Sequence, residues 1–141
     1  MSKNTVIGGG FHHVAIKVSN FDAVVDFYKK LGFTEKISWG EGDERAVMLD
    51  TGDGNYVEVF AGGKPGPTPD GIIHFAIRTP DVDAAHKLAL ELGAVETMAP
   101  KSIDIKNTSK AGGLPLVVPV RISFFRGLGG EIVEFFQNEL T

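Results

Sequence analysis

HVAIKVSNFDAVVDFYKKLGFTE, residues 13–35, returns further along the chain as HFAIRTPDVDAAHKLALELGAVE, residues 74–96. The offset is a constant 61, no gap is needed, and 8 of 23 positions are identical: His, Ala, Ile, Asp, Ala, Leu, Gly and Glu. Chance matching at ordinary composition would give about one or two. A shorter echo follows at an offset of 76, YVEVF at 56–60 against IVEFF at 132–136. The second copy therefore carries 15 extra residues, the difference between the two offsets, before its last strand. Between the copies, GGKPGPTPDG at 62–71 holds seven Gly or Pro in ten residues and reads as a linker. The pattern is a duplication into two modules rather than a solenoid.

Both copies have the same grammar. An alternating strand (His13–Val18; His74–Thr79) meets a polar stop, Ser19-Asn20 or Pro80-Asp81, suited to a helix N-terminus. Phe21, Val24, Val25, Phe27, Tyr28 and Leu31 then recur at helical spacing, and Gly32 closes the helix; Val82, Ala85, Leu88, Leu92 and Gly93 do the same in the second copy. Further strands are expected near 33–39, 44–50 and 55–61, and near 95–98, 119–125 and 130–137. Gly52-Asp53-Gly54-Asn55 and Gly129-Gly130 supply the turns. The insertion at 99–118 reads as a loop. Residues 1–141 thus form one α+β domain of two tandem βαβββ modules, the first over 11–61 and the second over 72–137.

Composition narrows the function. The 141 residues carry 18 acids against 14 bases, a net charge of −4 with no basic run, which argues against nucleic acid or anionic membrane as partner. The absence of cysteine excludes disulfides, thiol nucleophiles and thiolate metal sites. No apolar stretch approaches the roughly 20 residues of a membrane span, and MSKNTVIGGG lacks a signal-peptide core, so a cytoplasmic protein is expected. Gly8-Gly9-Gly10 precedes a strand and opens no helix, so it is no dinucleotide fingerprint.

Strand parity points to the chemistry. Side chains alternate faces along a strand. If Val14, Ile16 and Val18 pack on the helix, then His13, Ala15 and Lys17 face the other way; in the second copy Phe75 and Ile77 pack while His74, Ala76 and Arg78 face away. Tyr56, Glu58 and Phe60 share one side of their strand, and Ile132, Glu134 and Phe136 share the matching side of theirs. Two histidines and two glutamates therefore occupy repeat-related positions on the helix-free face, where polar groups are costly unless paired or ligating. Imidazole nitrogen and carboxylate oxygen suit one divalent Ni, Co, Zn, Mn or Fe per site, and four such ligands would leave two octahedral positions for water or substrate.

HHVAIKVSNFDAVVDFYKKLGF, the IHFAIRT strand and the closing GGEIVEFFQ resemble the vicinal-oxygen-chelate superfamily over about residues 11–137. The superfamily includes glyoxalase I, methylmalonyl-CoA epimerase, extradiol dioxygenases, fosfomycin-resistance transferases and metal-free bleomycin-binding proteins. The resemblance implies an open, curled, partial-barrel mixed sheet with the helices outside, around a metal. It also implies a homodimer acting on a small molecule. The glyoxalase I ligand order, His, Glu, His, Glu, falls on His13, Glu58, His74 and Glu134. Glu58 favours four-ligand isomerases over the three-ligand dioxygenases and transferases. By the same resemblance the reaction is a lyase or isomerase proton transfer beside a metal-chelated carbonyl, through an enediolate, with Glu134 as first catalytic base and Glu58 as second. Acyl-CoA epimerisation, Fe(II) dioxygenation and metal-free drug binding are the alternatives. Bacterial glyoxalase I commonly has Arg four residues after its first His and Asn four after its first Glu, both touching glutathione. Lys17 and Gly62 stand there instead, which leaves another thiol adduct, a coenzyme A ester or a small 2-oxo compound open.

Lys17 and Arg78, repeat mates on the ligand face, are expected to grip an anionic substrate, with Tyr56, Phe60 and Phe136 lining the pocket. Lys101, Lys106, Lys110 and Gly112-Gly113 could form a lid, but a solvated surface loop is the expectation. His12 and His86 are expected to be structural or exposed.

Overall fold

A computed structural model describes residues 9–64, 71–128 and 130–141. Most of the linker at 62–71, and Gly129 of the second turn, lie outside the described residues. The elements run β1 (Gly10–Lys17), α1 (Phe21–Lys30), β2 (Thr34–Trp39), β3 (Ala46–Asp50), β4 (Tyr56–Phe60), β5 (Gly71–Arg78), α2 (Val82–Glu91), β6 (Val95–Lys106), β7 (Val117–Arg126) and β8 (Ile132–Gln137). A 3₁₀ turn, Gly42–Glu44, precedes β3. The strand order is β2-β3-β4-β1 in the first copy and β5-β8-β7-β6 in the second, with mixed directions, in an α+β fold. β1 pairs with β4 in parallel, and β5 pairs with β8 in parallel. The strand–helix–strand–strand–strand order expected from the sequence is present in both copies.

The chain divides into two compact units. One comprises His13–Ile73 with Ile105–Val118; the other comprises residues up to His12, His74–Asp104 and Pro119–Thr141.

In the first unit α1 lays Phe21, Val24, Val25 and Tyr28 on Val47, Leu49 and Val59, joined by Ile16, Val18, Phe33 and Val57. That stripe is the i, i+3, i+4, i+7 face read from the sequence. Asp22 in the first turn and Lys29 and Lys30 in the last complement the helix dipole. In the second unit α2 starts at Asp81, whose side chain accepts from the Ala84 amide at 3.0 Å. It packs Val82 and Ala85 on Phe125, Val133 and Phe135, with Ile77, Ala89 and Ala94 alongside. Phe75 stands outside this cluster, 36% exposed. Gly32 and Gly93 follow the two helices at φ 110° and 109°, a left-handed conformation that any other residue would hold under strain.

The 99–118 insertion departs from the loop expected. β6 continues through Lys106 and β7 begins at Val117, so only the tip between them is irregular. The tip packs along β2, the terminal strand of the sheet. The Thr108 amide donates to the Ser38 carbonyl at 2.8 Å, and the Ser38 and Thr108 hydroxyls lie 2.9 Å apart. Buried Asn107 accepts from the amides of Ser38 (3.3 Å) and Ser109 (2.9 Å) and donates to the Pro115 carbonyl at 3.1 Å. Gly112 passes so close to the Lys36 backbone that a Cβ would collide with its carbonyl. The local reason is edge satisfaction: a terminal strand presents unpaired amides and carbonyls, and this tip pairs two of them. Polar Lys, Ser, Thr and Asn are therefore the wrong evidence for a solvated loop here, because the groups they satisfy are backbone.

Burial pushes the Glu35 carboxyl up, but the Lys29 ammonium at 2.8 Å and the hydroxyls of Ser109 and Ser38 outweigh it and hold it below its ordinary value of 4.5. A depressed carboxyl stabilises the fold above its unfolded-state value and loses that contribution as pH falls through its lower folded value. The melting-temperature gap between wild type and Glu35→Gln will thus be full near neutrality and will close as the pH is taken below 4.5. Asn107→Ala, which strips the tip of its buried hub, should cost about 1–3 kcal/mol in urea denaturation.

Candidate metal centre

β1 and β4 are parallel with His13 opposite Tyr56, Ala15 opposite Glu58 and Lys17 opposite Phe60. β5 and β8 repeat this, with Ala76 opposite Glu134 and Arg78 opposite Phe136. In each copy, then, an alanine two residues after the histidine stands beside the glutamate. A side chain no larger than methyl leaves the carboxylate room to turn toward the imidazole. His13 Nε2 lies 3.3 Å from Glu58 Oε1, and His74 Nε2 lies 3.1 Å from Glu134 Oε1. All four are buried, His13 completely and His74 at 9% exposure.

Each unit thus brings one buried imidazole against one buried carboxylate, His13 with Glu58 and His74 with Glu134. Two imidazoles and two carboxylates carry up to two negative charges when the imidazoles are neutral, the complement of a divalent cation. Nitrogen and oxygen donors without sulfur fit Mn, Fe, Co, Ni or Zn. The donor set therefore passes the chemical test for a metal site, and these four residues form a potential metal-binding group.

Residues 10–110 match the model of the Glyoxalase/Bleomycin resistance protein/Dioxygenase superfamily. The chain belongs to this superfamily. Among solved structures it is similar to methylmalonyl-CoA epimerase from Mycobacterium tuberculosis, at 19% identity and a TM-score of 0.66, covering 98% of this chain and 93% of that one. It is also similar to the Mn(II)-bound glyoxalase from Novosphingobium aromaticivorans, at 20% identity and a TM-score of 0.64, covering 93% of this chain and 38% of that one. The 2,3-dioxygenase LapB from Pseudomonas sp. KL28 follows at 13% identity and a TM-score of 0.64, covering 91% of this chain and 42% of that one. At these identities the likeness is one of fold. Comparison with curated protein sequences finds no match. The superfamily is one of mostly metal-dependent enzymes. No helix among the described residues is long and apolar enough to cross a membrane.

The other residues singled out from the sequence sit as follows. Lys17 and Phe60 line a recess of about 260 Å³ with Asp43, Glu44, Arg45 and Ile73. Phe60 is half-buried and lies edge-on to Trp39, ring centroids 5.9 Å apart. Tyr56 is buried. Phe136 is also buried, and its ring stacks on His12 at 4.2 Å. Arg78 donates from Nε to the Phe11 carbonyl at 2.9 Å and from Nη1 to the Thr141 carbonyl at 3.0 Å, so its guanidinium holds backbone. His12 Nε2 is 2.8 Å from Thr141 Oγ1.

Sequence reading passed over two residues here. Met48 is opposite Glu58 in the β3–β4 ladder and Phe124 is opposite Glu134 in the β7–β8 ladder. They are repeat mates at the offset of 76, so the duplication itself held the signal. His86, expected to be structural or exposed, is buried. Its Nδ1 lies 2.9 Å from Ser123 Oγ and its Nε2 lies 2.8 Å from Glu96 Oε1. The trio has a nucleophile–base–acid composition, but Ser123 has no exposed surface and no substrate carbonyl can reach it. The repeat mates of His86 and Ser123 are Val25 and Val47, which pack apolar side chains in the same places. His86→Leu should therefore destabilise by about 1–3 kcal/mol, by stranding the Ser123 hydroxyl, while leaving metal uptake unchanged. Urea denaturation and metal content of the same preparation check both halves.

Proposed function

We propose that this protein is a divalent-metal-dependent lyase or isomerase of the glyoxalase I type, which moves a proton between adjacent carbons beside a carbonyl. The observation that carries the reading is the pairing of two buried histidines with two buried glutamates at repeat-related positions. His13, Glu58, His74 and Glu134 would hold the metal. When bound, it would supply Lewis acidity to neighbouring substrate oxygens and so stabilise the charge that develops as the proton leaves.

The chain's own residues do the rest. Glu134 accepts the proton from the carbon next to the carbonyl: the C–H bond breaks, an Oε–H bond forms, and the electron pair moves toward the carbonyl oxygen. Glu134 then returns the proton to the former carbonyl carbon, while the hydroxyl on the first carbon gives up its proton and the second oxygen gains one, so that an α-hydroxy carbonyl becomes its isomer and nothing is gained or lost overall. Glu58 is the second base. Lys17 offers a cation on the edge of the recess that Phe60 lines, placed for an anionic group of the substrate. Lys17 and Gly62 make glutathione the less fitting co-substrate and leave another thiol adduct or a small 2-oxo compound open; a coenzyme A ester would take the proton back on the same carbon, as an epimerisation. A homodimer and a cytoplasmic setting complete the proposal.

Metal content of tag-free protein, wild type beside Glu134→Ala, tests the site. About one Mn, Fe, Co, Ni or Zn per chain, sharply reduced in the variant, is the expected result. Absence of metal after incubation with each ion and desalting would overturn it. With metal in place, solvent deuterium should enter the carbon next to the carbonyl of a turned-over substrate. Glu134→Gln should slow that exchange by about 10²–10⁴-fold.

A further inference from the structure

We propose that Phe124 is a positioning residue whose ring sets the orientation of the His74 imidazole, and with it the geometry offered to a metal. The inference rests on the metal-site reading above and concerns how this chain prepares one half of the ligand set.

The register supplies the placement. Phe124 pairs with Glu134 across the β7–β8 ladder, so both side chains leave the same face of the sheet. On the other side of Glu134, across the β5–β8 ladder, stands Ala76. The Glu134 carboxylate thus runs between a methyl group and an aromatic ring. The Phe124 ring reaches past it to His74, centroid to centroid 5.1 Å, with the planes at 83°. This is the edge-to-face geometry that aromatic quadrupoles prefer, and unlike aliphatic packing it depends on angle.

An imidazole needs such a neighbour. Rotation about its Cβ–Cγ bond is broad and roughly two-fold, so the side chain does not hold its own ring plane. The 3.1 Å approach of His74 Nε2 to Glu134 Oε1 fixes one atom, and the Phe124 ring bears on the plane.

The first copy shows the contrast. Phe124's mate is Met48, which has no ring but is completely buried, as is His13. His74 keeps 9% of its surface and Phe124 is only half-buried, so this half of the set is the less enclosed of the two. The next residue, Phe125, points the other way into the core under α2. It is a natural control, an equally large ring one position along the same strand.

Co(II) titration, followed by affinity and by the visible d–d band, tests the proposal without any substrate. Phe124→Leu and Phe124→Met keep apolar volume and remove the ring. Either, once circular dichroism shows it folded, should bind Co(II) about 10–100-fold more weakly and with a shifted band, the scale on which loss of a residue supporting a ligand is felt. Phe124→Tyr should retain both wild-type properties. Phe125→Leu should lower the melting temperature of the metal-free protein yet leave Co(II) affinity and band unchanged. Wild-type affinity and band in Phe124→Leu or Phe124→Met would overturn the inference while leaving the metal centre standing. So would a Phe124→Tyr protein that behaves like the Leu variant. A wild type that takes up no Co(II) would instead overturn the metal centre, and this inference with it.

Discussion

A parallel strand pair underlies each half of the candidate ligand set. His13 and Glu58 are 45 positions apart, His74 and Glu134 are 60 apart, and each pair meets because the first and last strands of a module lie side by side in the same direction. Parallel neighbours cannot be joined by a tight turn; they require a crossover. The helix and the two intervening strands of each copy are that crossover, and they also cover one face with apolar side chains. The other face is left for residues of opposite parity. Without the parallel register the histidines and glutamates would be isolated buried polar groups, each costly to the fold.

The two copies show how a duplicated frame diverges without losing that register. His86, Ser123 and Glu96 form a hydrogen-bonded trio in the second copy where the first has Val25, Val47 and a Glu35 paired with Lys29. Phe124 replaces Met48 beside the ligand glutamate. The first change lies on the helix side, while Phe124 stands on the face of the elements both copies keep, the His-x-Ala beginning of the first strand and the glutamate of the last. The frame tolerates the first because a period-two strand keeps its two faces independent: a substitution on the helix side does not turn a residue on the opposite side.

The long insertion serves the frame as well. By laying Asn107, Thr108 and Ser109 against β2, the second copy's extra residues satisfy the terminal strand of the first. A terminal strand left bare is a template for association with other chains, and this tip occupies it.

The sequence alone determined the duplication, the α+β order of the elements, and the shared parity of His13, Glu58, His74 and Glu134. All three follow from short-range periodicity, 3.6 in the helices and 2 in the strands, which is written locally along the chain. Family membership was legible for the same reason, since the motifs that carry it are the strand and helix patterns themselves. The tertiary structure decided everything that depends on which strands are neighbours. It placed Ala15 and Ala76 beside the glutamates, turned the edge of Phe124 toward His74, committed Arg78 to backbone carbonyls, and made an apparent loop into paired strands with a docked tip. Register and docking are set by contacts between residues far apart in sequence, and no local pattern records which distant backbone group a serine or an asparagine will satisfy.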